Sequence, residues 1–160
     1  MKVYLDNSAT TPLDPRVFAK MKPYFTKDYG NASSIHFMGQ KANLDLEAAR
    51  NRVAKVLGAP LRGIIFTSGA SESNNLIIKG VMLANQAKGK HLIVSAIEHP
   101  CVLQSARQLV KLGFELDIAP VTAEGLIDLV ALKKLIRPDT VLVSVMAVNN
   151  EIGTIQDLKA

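Results

Sequence analysis

The chain has 160 residues, of which 48% are hydrophobic, 21% charged and 5% aromatic, with a formal net charge of +5. That length fits one domain, taken as residues 1–160, with an aliphatic core, and the composition is too apolar for disorder. The lysines are scattered, with no dense basic block and no interleaved aromatics, which argues against a nucleic-acid partner. One cysteine excludes an intrachain disulfide and suits a reducing compartment. No apolar stretch approaches the length needed to cross a membrane, and "MKVYLDNSATTP" lacks the apolar run of a signal peptide. A cytoplasmic protein without a membrane partner is the simplest reading.

Val3–Leu5 reads as a short extended piece, followed by a loop in "SATTPLDP". Asp14 is placed to cap a helix with Pro15 at its first position, running to about Tyr24. A polar loop, "DYGNASSIH", precedes a longer helix over Phe37–Leu57, which Gly58 stops. "GIIFTSG" then reads as a brief buried strand entering a turn, and Ser73–Lys88 as a helix. "HLIVS" is a strand, Pro100–Leu112 a helix ended by Gly113, "FELDIAPV" a strand, Leu129–Ile136 a helix and "TVLVSV" a strand. Strands alternating with helices from residue 63 onward predict an α/β fold with a mainly parallel sheet flanked by helices. "GTIQDLKA" opens what should be another element, so the pattern predicts a truncated domain.

In open α/β sheets, ligands bind beyond the carboxyl ends of the strands, so the strand-to-helix turns are weighed separately. In "FTSGASESNN" (66–75), Gly69 and small neighbours could let an anion reach the unpaired N–H groups of a helix N-terminus, with Ser71 adding a hydroxyl. A plain helix start, with Glu72 in its first turn, explains the same residues. No lysine follows the glycine as in a nucleotide-triphosphate loop. In "EHP", Pro100 fits the first helical position and places His99 at the cap, where an imidazole can stack on a ring, move a proton or simply cap. His36 and His91 carry weaker signals. In "NNEIG" (149–153), two amides and a carboxylate follow an apolar strand, suiting either a small-molecule site or a turn. Cys101 lies in a helix's first turn, where a thiolate would be stabilised. A small buried apolar role is the better reading, because residues two apart on a helix do not face each other.

The stretches "YLDNSATTPLDP", "GNASSIHFMGQKA", "FTSGASESNNLIIKG", "SAIEHPCVL" and "VSVMAVNNEIGTIQ" together resemble the amino-terminal half of cysteine desulfurases, in the class V aminotransferase superfamily. The resemblance runs along nearly the whole chain in the family's order. It implies the large-domain portion of the aspartate-aminotransferase-like fold of pyridoxal-phosphate transferases. It also implies conversion of L-cysteine to L-alanine, with sulfur carried as a persulfide for iron–sulfur clusters and tRNA thiolation. Implied partners are L-cysteine, a sulfur acceptor such as an iron–sulfur scaffold protein, and a second copy in a homodimer. By the same resemblance, Ala70 and Ser71 would contact the phosphate of pyridoxal 5′-phosphate. His99 would stack on its ring and help to move protons, and Asn150 would hydrogen-bond its phenolic oxygen.

Some positions depart from the family's pattern. "GNAS" stands where Gly-Asn-Pro-Ser is usual, and Ser71 where Thr is commoner, which keeps the hydroxyl. The family's Schiff-base lysine, the Asp partner of the pyridine nitrogen and the sulfur-accepting cysteine have no match up to Ala160; Cys101 is not that cysteine. These 160 residues alone are therefore expected to be inactive. A non-catalytic small-molecule or protein-binding module, or another class V enzyme such as a selenocysteine lyase or aminotransferase, stands as the alternative.

Overall fold

The computed structural model describes residues 1–159; Ala160, the last residue of the expected domain, lies outside them. The chain divides into two compact units, Met1–Phe66 and Thr67–Ala160.

In the first unit, helix α1 (Pro15–Thr26) begins as expected. Asp14 caps it by accepting the Arg16 N–H at 2.7 Å, and Pro15 needs no donor at the first position. No residue of α1 is buried. Helix α2 (Phe37–Leu57) has the predicted bounds and ends at Gly58, whose left-handed φ of 62° suits a residue without Cβ. The preceding "GNAS" loop needs no proline to close. The Asn31 side chain accepts the Ser33 N–H, and the Asn31 carbonyl accepts the Ser34 N–H, each at 2.9 Å.

The predicted strand over "GIIFTSG" does not form. Leu61–Gly63 is a 3-10 turn, and Ile64–Phe66 runs on without a ladder partner among the described residues. β-branched residues favour a strand only where a neighbouring strand takes up the backbone groups. Here Arg50 binds the Ile64 carbonyl and lies 5.0 Å over the Phe66 ring. Val3–Leu5 forms no strand either.

The second unit is α/β. Its elements are α3 (Ala70–Ala84), β1 (His91–Ser95), α4 (Pro100–Val110), β2 (Glu115–Ala119), α5 (Leu129–Leu135) and β3 (Thr140–Ser144). Helix α3 starts three residues before its predicted position and stops at Asn85, whose amide donates to the Val81 carbonyl at 2.9 Å. The sheet is wholly parallel in the order β2-β1-β3. All five β1 residues are buried, with the apolar run Leu92–Val94 between polar His91 and Ser95, as suits a central parallel strand. Leu92 and Val94 pack with Ile78 and Met82 of α3, with Val102, Ala106 and Leu109 of α4, and with Phe114. The core is almost purely aliphatic, as a chain without Trp predicts.

The first residue of β1 is polar and fully buried. His91 satisfies both ring nitrogens, with Nδ1 2.7 Å from Thr140 Oγ1 and Nε2 3.2 Å from Asp117 Oδ2. It stands where the β1–β3 register slips by a residue. His91 therefore pins three strands together at the end opposite the candidate site.

After β3 the described residues form no further helix or strand; instead they fold back as a short hairpin. Val148 and Ile155 make an antiparallel bridge around Gly153, whose φ is 74°. Gln156 and Thr154 dock the hairpin on the preceding loop: Gln156 Nε2 donates to the Gly125 carbonyl and Thr154 Oγ1 to the Glu124 carbonyl, each at 2.7 Å.

Candidate active site

Strand order β2-β1-β3 means that the connection leaving β1 runs to one side while β3 lies on the other. A crevice opens where neighbouring loops part at the carboxyl ends of such strands. Here a pocket of about 250 Å³ lies at that place, lined by Ile97, Glu98 and His99 after β1 and by Asn149, Asn150, Glu151 and Ile152 after β3. His99 and Asn150, from separate turns, are thus brought together.

Each loop has a local reason for its shape. After β1, Ser95 Oγ accepts the Ile97 N–H at 3.2 Å. His99 then caps α4, its Nδ1 accepting the Cys101 N–H at 3.2 Å, with Pro100 at the first helical position. After β3, Asn149 is the turn former. Its Oδ1 accepts the Glu151 and Ile152 N–H groups at 2.8 and 3.1 Å, and its Nδ2 donates to the Ile97 carbonyl at 3.0 Å. Asn149 is buried and ties one loop to the other, which leaves its neighbour Asn150 exposed and without a protein hydrogen bond among the described residues.

Ala70 and Ser71 do not line this pocket. They occupy the first turn of α3, whose N-cap Gly69 offers no side chain. Within the described residues, the N–H groups of Ala70, Ser71 and Glu72 have no acceptor. Glu72 reaches back instead, with its Oε2 accepting the Ser68 N–H and hydroxyl, each at 2.7 Å. Those two bonds hold its carboxyl below the ordinary range. The turn is joined to α4 one helical turn further on, where Asn74 Nδ2 donates to Cys101 Sγ at 3.1 Å.

Two features escape a reading of the sequence. Glu98 is only 7% exposed, and its Oε1 has no partner. Burial pushes its carboxyl upward, opposed by the Met146 N–H. In the sequence Glu98 is only one charge beside an apolar run, and burial depends on the hairpin after β3 closing over it. The second is Cys101, which packs half-buried against the aliphatic core as expected, yet is not turned away from His99. Its Sγ lies 3.0 Å from His99 Nδ1. The expectation that residues two apart do not meet applies within a helix, and His99 is the extended cap residue, with ψ of 145°.

Residues 3–160 match the aminotransferase class-V family. The chain belongs to that family. Among its class V relatives, the cysteine desulfurase IscS of Dictyoglomus turgidum is 50% identical over 158 residues, covering 99% of this chain and 40% of the relative. The mitochondrial cysteine desulfurase of Candida albicans is 54% identical over 158 residues, covering 98% of this chain and 32% of the relative. A solved structure described as a NifS-like protein superposes with a TM-score of 0.93 at 46% identity, over 98% of this chain and 43% of that one. The chain thus spans about 40% of the length of its bacterial IscS relatives. The small parallel sheet flanked by helices is the corresponding portion of their α/β fold.

Proposed function

We propose that this chain is the part of a cysteine desulfurase that holds one wall of the pyridoxal-phosphate site, in a protein that converts L-cysteine to L-alanine and passes sulfur to an acceptor. The observation that carries this reading is 50% identity to a named cysteine desulfurase, spread over 99% of the chain. His99 and Asn150 lining one pocket at the sheet's carboxyl edge supports it.

The residues present fit the cofactor by donor chemistry. The unpaired N–H groups of Ala70–Glu72 and the Ser71 hydroxyl suit a phosphate at the positive end of α3. Glu72 is an anion in the same turn, but its two bonds to Ser68 occupy one carboxylate oxygen. The exposed His99 ring offers a flat face for stacking, and the Asn150 amide offers a free donor for a phenolic oxygen. When bound, pyridoxal phosphate supplies an electron sink for the substrate's Cα. The chain's own residues hold the phosphate, set the ring's inclination through His99 and place a proton at an imidazole nitrogen. Glu98 and the Asn149 tie keep the two loops together behind them.

The relatives include bacterial and mitochondrial enzymes, and a cytoplasmic setting is proposed on the bacterial ones. No helix among the described residues is long and apolar enough to cross a membrane. A homodimer and an iron–sulfur scaffold as acceptor belong to the same proposal. The 160 residues alone are proposed to be inactive, because none of their lysines matches the family's Schiff-base lysine.

The test is a chimera in which residues 1–160 replace the matching segment of the Dictyoglomus turgidum relative. Alanine and sulfide formed from cysteine with pyridoxal phosphate should be restored, and His99→Ala should lower turnover by about 10²–10⁴-fold. A folded chimera without turnover, or one indifferent to His99→Ala, would overturn the reading. Turnover by the unfused chain would overturn its proposed inactivity.

A further inference from the structure

His99 makes an unusual pair of contacts through one nitrogen. Its Nδ1 lies 3.2 Å from the Cys101 backbone nitrogen and 3.0 Å from the Cys101 sulfur. The sulfur in turn receives the Asn74 side-chain N–H at 3.1 Å. An amide N–H can only donate, so Nδ1 must be the unprotonated, accepting nitrogen. The thiol hydrogen then has a ready acceptor in Nδ1, and the sulfur lone pairs take the Asn74 donor. A chain of donors runs from α3 through Cys101 into the imidazole. Neither Cys101 nor Asn74 lines the pocket, so both act on His99 from behind it.

We infer that the Cys101 and Asn74 side chains are positioning groups that fix the His99 ring and reinforce the Nε2–H tautomer set by the Cys101 backbone N–H. This rests on the proposed role of His99 at the cofactor ring and specifies how that role is set up. With Nδ1 doubly engaged, Nε2 is the only ring nitrogen free to meet a ligand, and no protein group among the described residues bonds it. Resting His99 therefore donates through Nε2, and must give up that proton before it can take one there. The partner of one imidazole nitrogen deciding what the other can do is a general property of histidine. The single cysteine of the chain is thereby assigned a use other than sulfur transfer.

The imidazole ¹⁵N spectrum of the chain, labelled at histidine, tests this without cofactor or substrate. There are three histidines, so assignment by a His99→Gln variant is direct, and His91, locked between Thr140 and Asp117, reports whether the second unit is folded. The expected wild-type pattern for His99 is a pyridine-like Nδ1 and a pyrrole-like Nε2. Cys101→Ala keeps the backbone N–H, so both resonances should drift only part of the way toward the tautomer average; in Asn74→Ala they should drift less in the same direction, and Cys101→Ser should restore them. A wild-type His99 already averaged or protonated at Nδ1 would overturn the inference. So would a Cys101→Ala spectrum identical to wild type, or a serine variant that stays averaged with His91 unchanged. If Cys101→Ala disturbs His91 as well, the Asn74→Ala spectrum decides, since that variant keeps the thiol. A failed desulfurase reading would show in the chimera assay while leaving this spectrum intact, so the two failures are distinguishable.

Discussion

The two units share a periodic apolar pattern but use it differently. In Met1–Phe66 the pattern makes two well-bounded helices, yet α1 buries nothing and α2 buries only Gly39 and Ala54. Val17, Met21, Tyr24 and Leu46 line an open groove of about 1080 Å³ within that unit. In Thr67–Ala160 the same kind of stripe on α3 and α4 meets a parallel sheet, and a continuous core results. Amphipathic spacing is enough to set where a helix runs. A core needs a second surface to receive the stripe, and among the described residues only the second unit supplies one. Local caps and turns therefore decide the structure of the first unit, and tertiary packing that of the second.

The largest expected effect breaks that contrast directly. Leu92→Ala, at a fully buried position of β1, should destabilise the second unit by about 2–5 kcal/mol. Leu44→Ala on the exposed side of α2 should change stability by no more than about 0.5 kcal/mol. Urea unfolding followed by circular dichroism measures both. Equal losses would mean that the first unit has a core of its own.

A second, smaller effect belongs to Glu98. Its folded-state carboxyl titrates above its ordinary value of 4.5 because it is buried. The stabilisation tied to its protonated form is complete below that value and is lost as pH rises through the raised one. Glu98→Gln removes the ionisation and should gain stability over wild type, on the order of 1 kcal/mol above the raised value and nothing below 4.5. Unfolding midpoints across pH check the sign. A difference that shrinks as pH rises would contradict it.

The smallest effect compares like with like. Asp128 caps α5 by accepting the Val130 and Ala131 N–H groups, each at 3.0 Å, and Asp14 caps α1 in the same manner. Asp128→Ala should lower the cooperative unfolding free energy of the second unit by about 1 kcal/mol. Asp14→Ala should instead reduce helix content locally with no shift of that transition, read by amide exchange.

Caps and helix bounds were the most legible part of the sequence, because they rest on local chemistry. Asp14 with Pro15, Gly58, and His99 with Pro100 stand where the sequence predicts. The α/β class was legible for the same reason, since apolar runs and helical stripes alternate. What failed depended on distant partners. Ile64–Phe66 has strand composition but no ladder, and the tail after β3 becomes a hairpin because Thr154 and Gln156 find the 124–125 backbone. Within the candidate site, the turns carrying His99 and Asn150 were legible because they follow strands, and Asn150 itself was singled out by the family resemblance. The burial of Glu98, the tie made by Asn149 and the Cys101–His99 contact exist only once two loops close together.

The first turn of α3 and the His99–Asn150 pocket are proposed to form one wall of a pyridoxal-phosphate site. The most direct test is an amide ¹H–¹⁵N titration of the chain with pyridoxamine 5′-phosphate, which lacks the aldehyde that would link to lysines. Saturable shifts confined to residues 69–72, 98–101 and 149–152, weakened by His99→Ala, are expected. Shifts that miss those residues, or that gather in the α1–α2 groove, would contradict it.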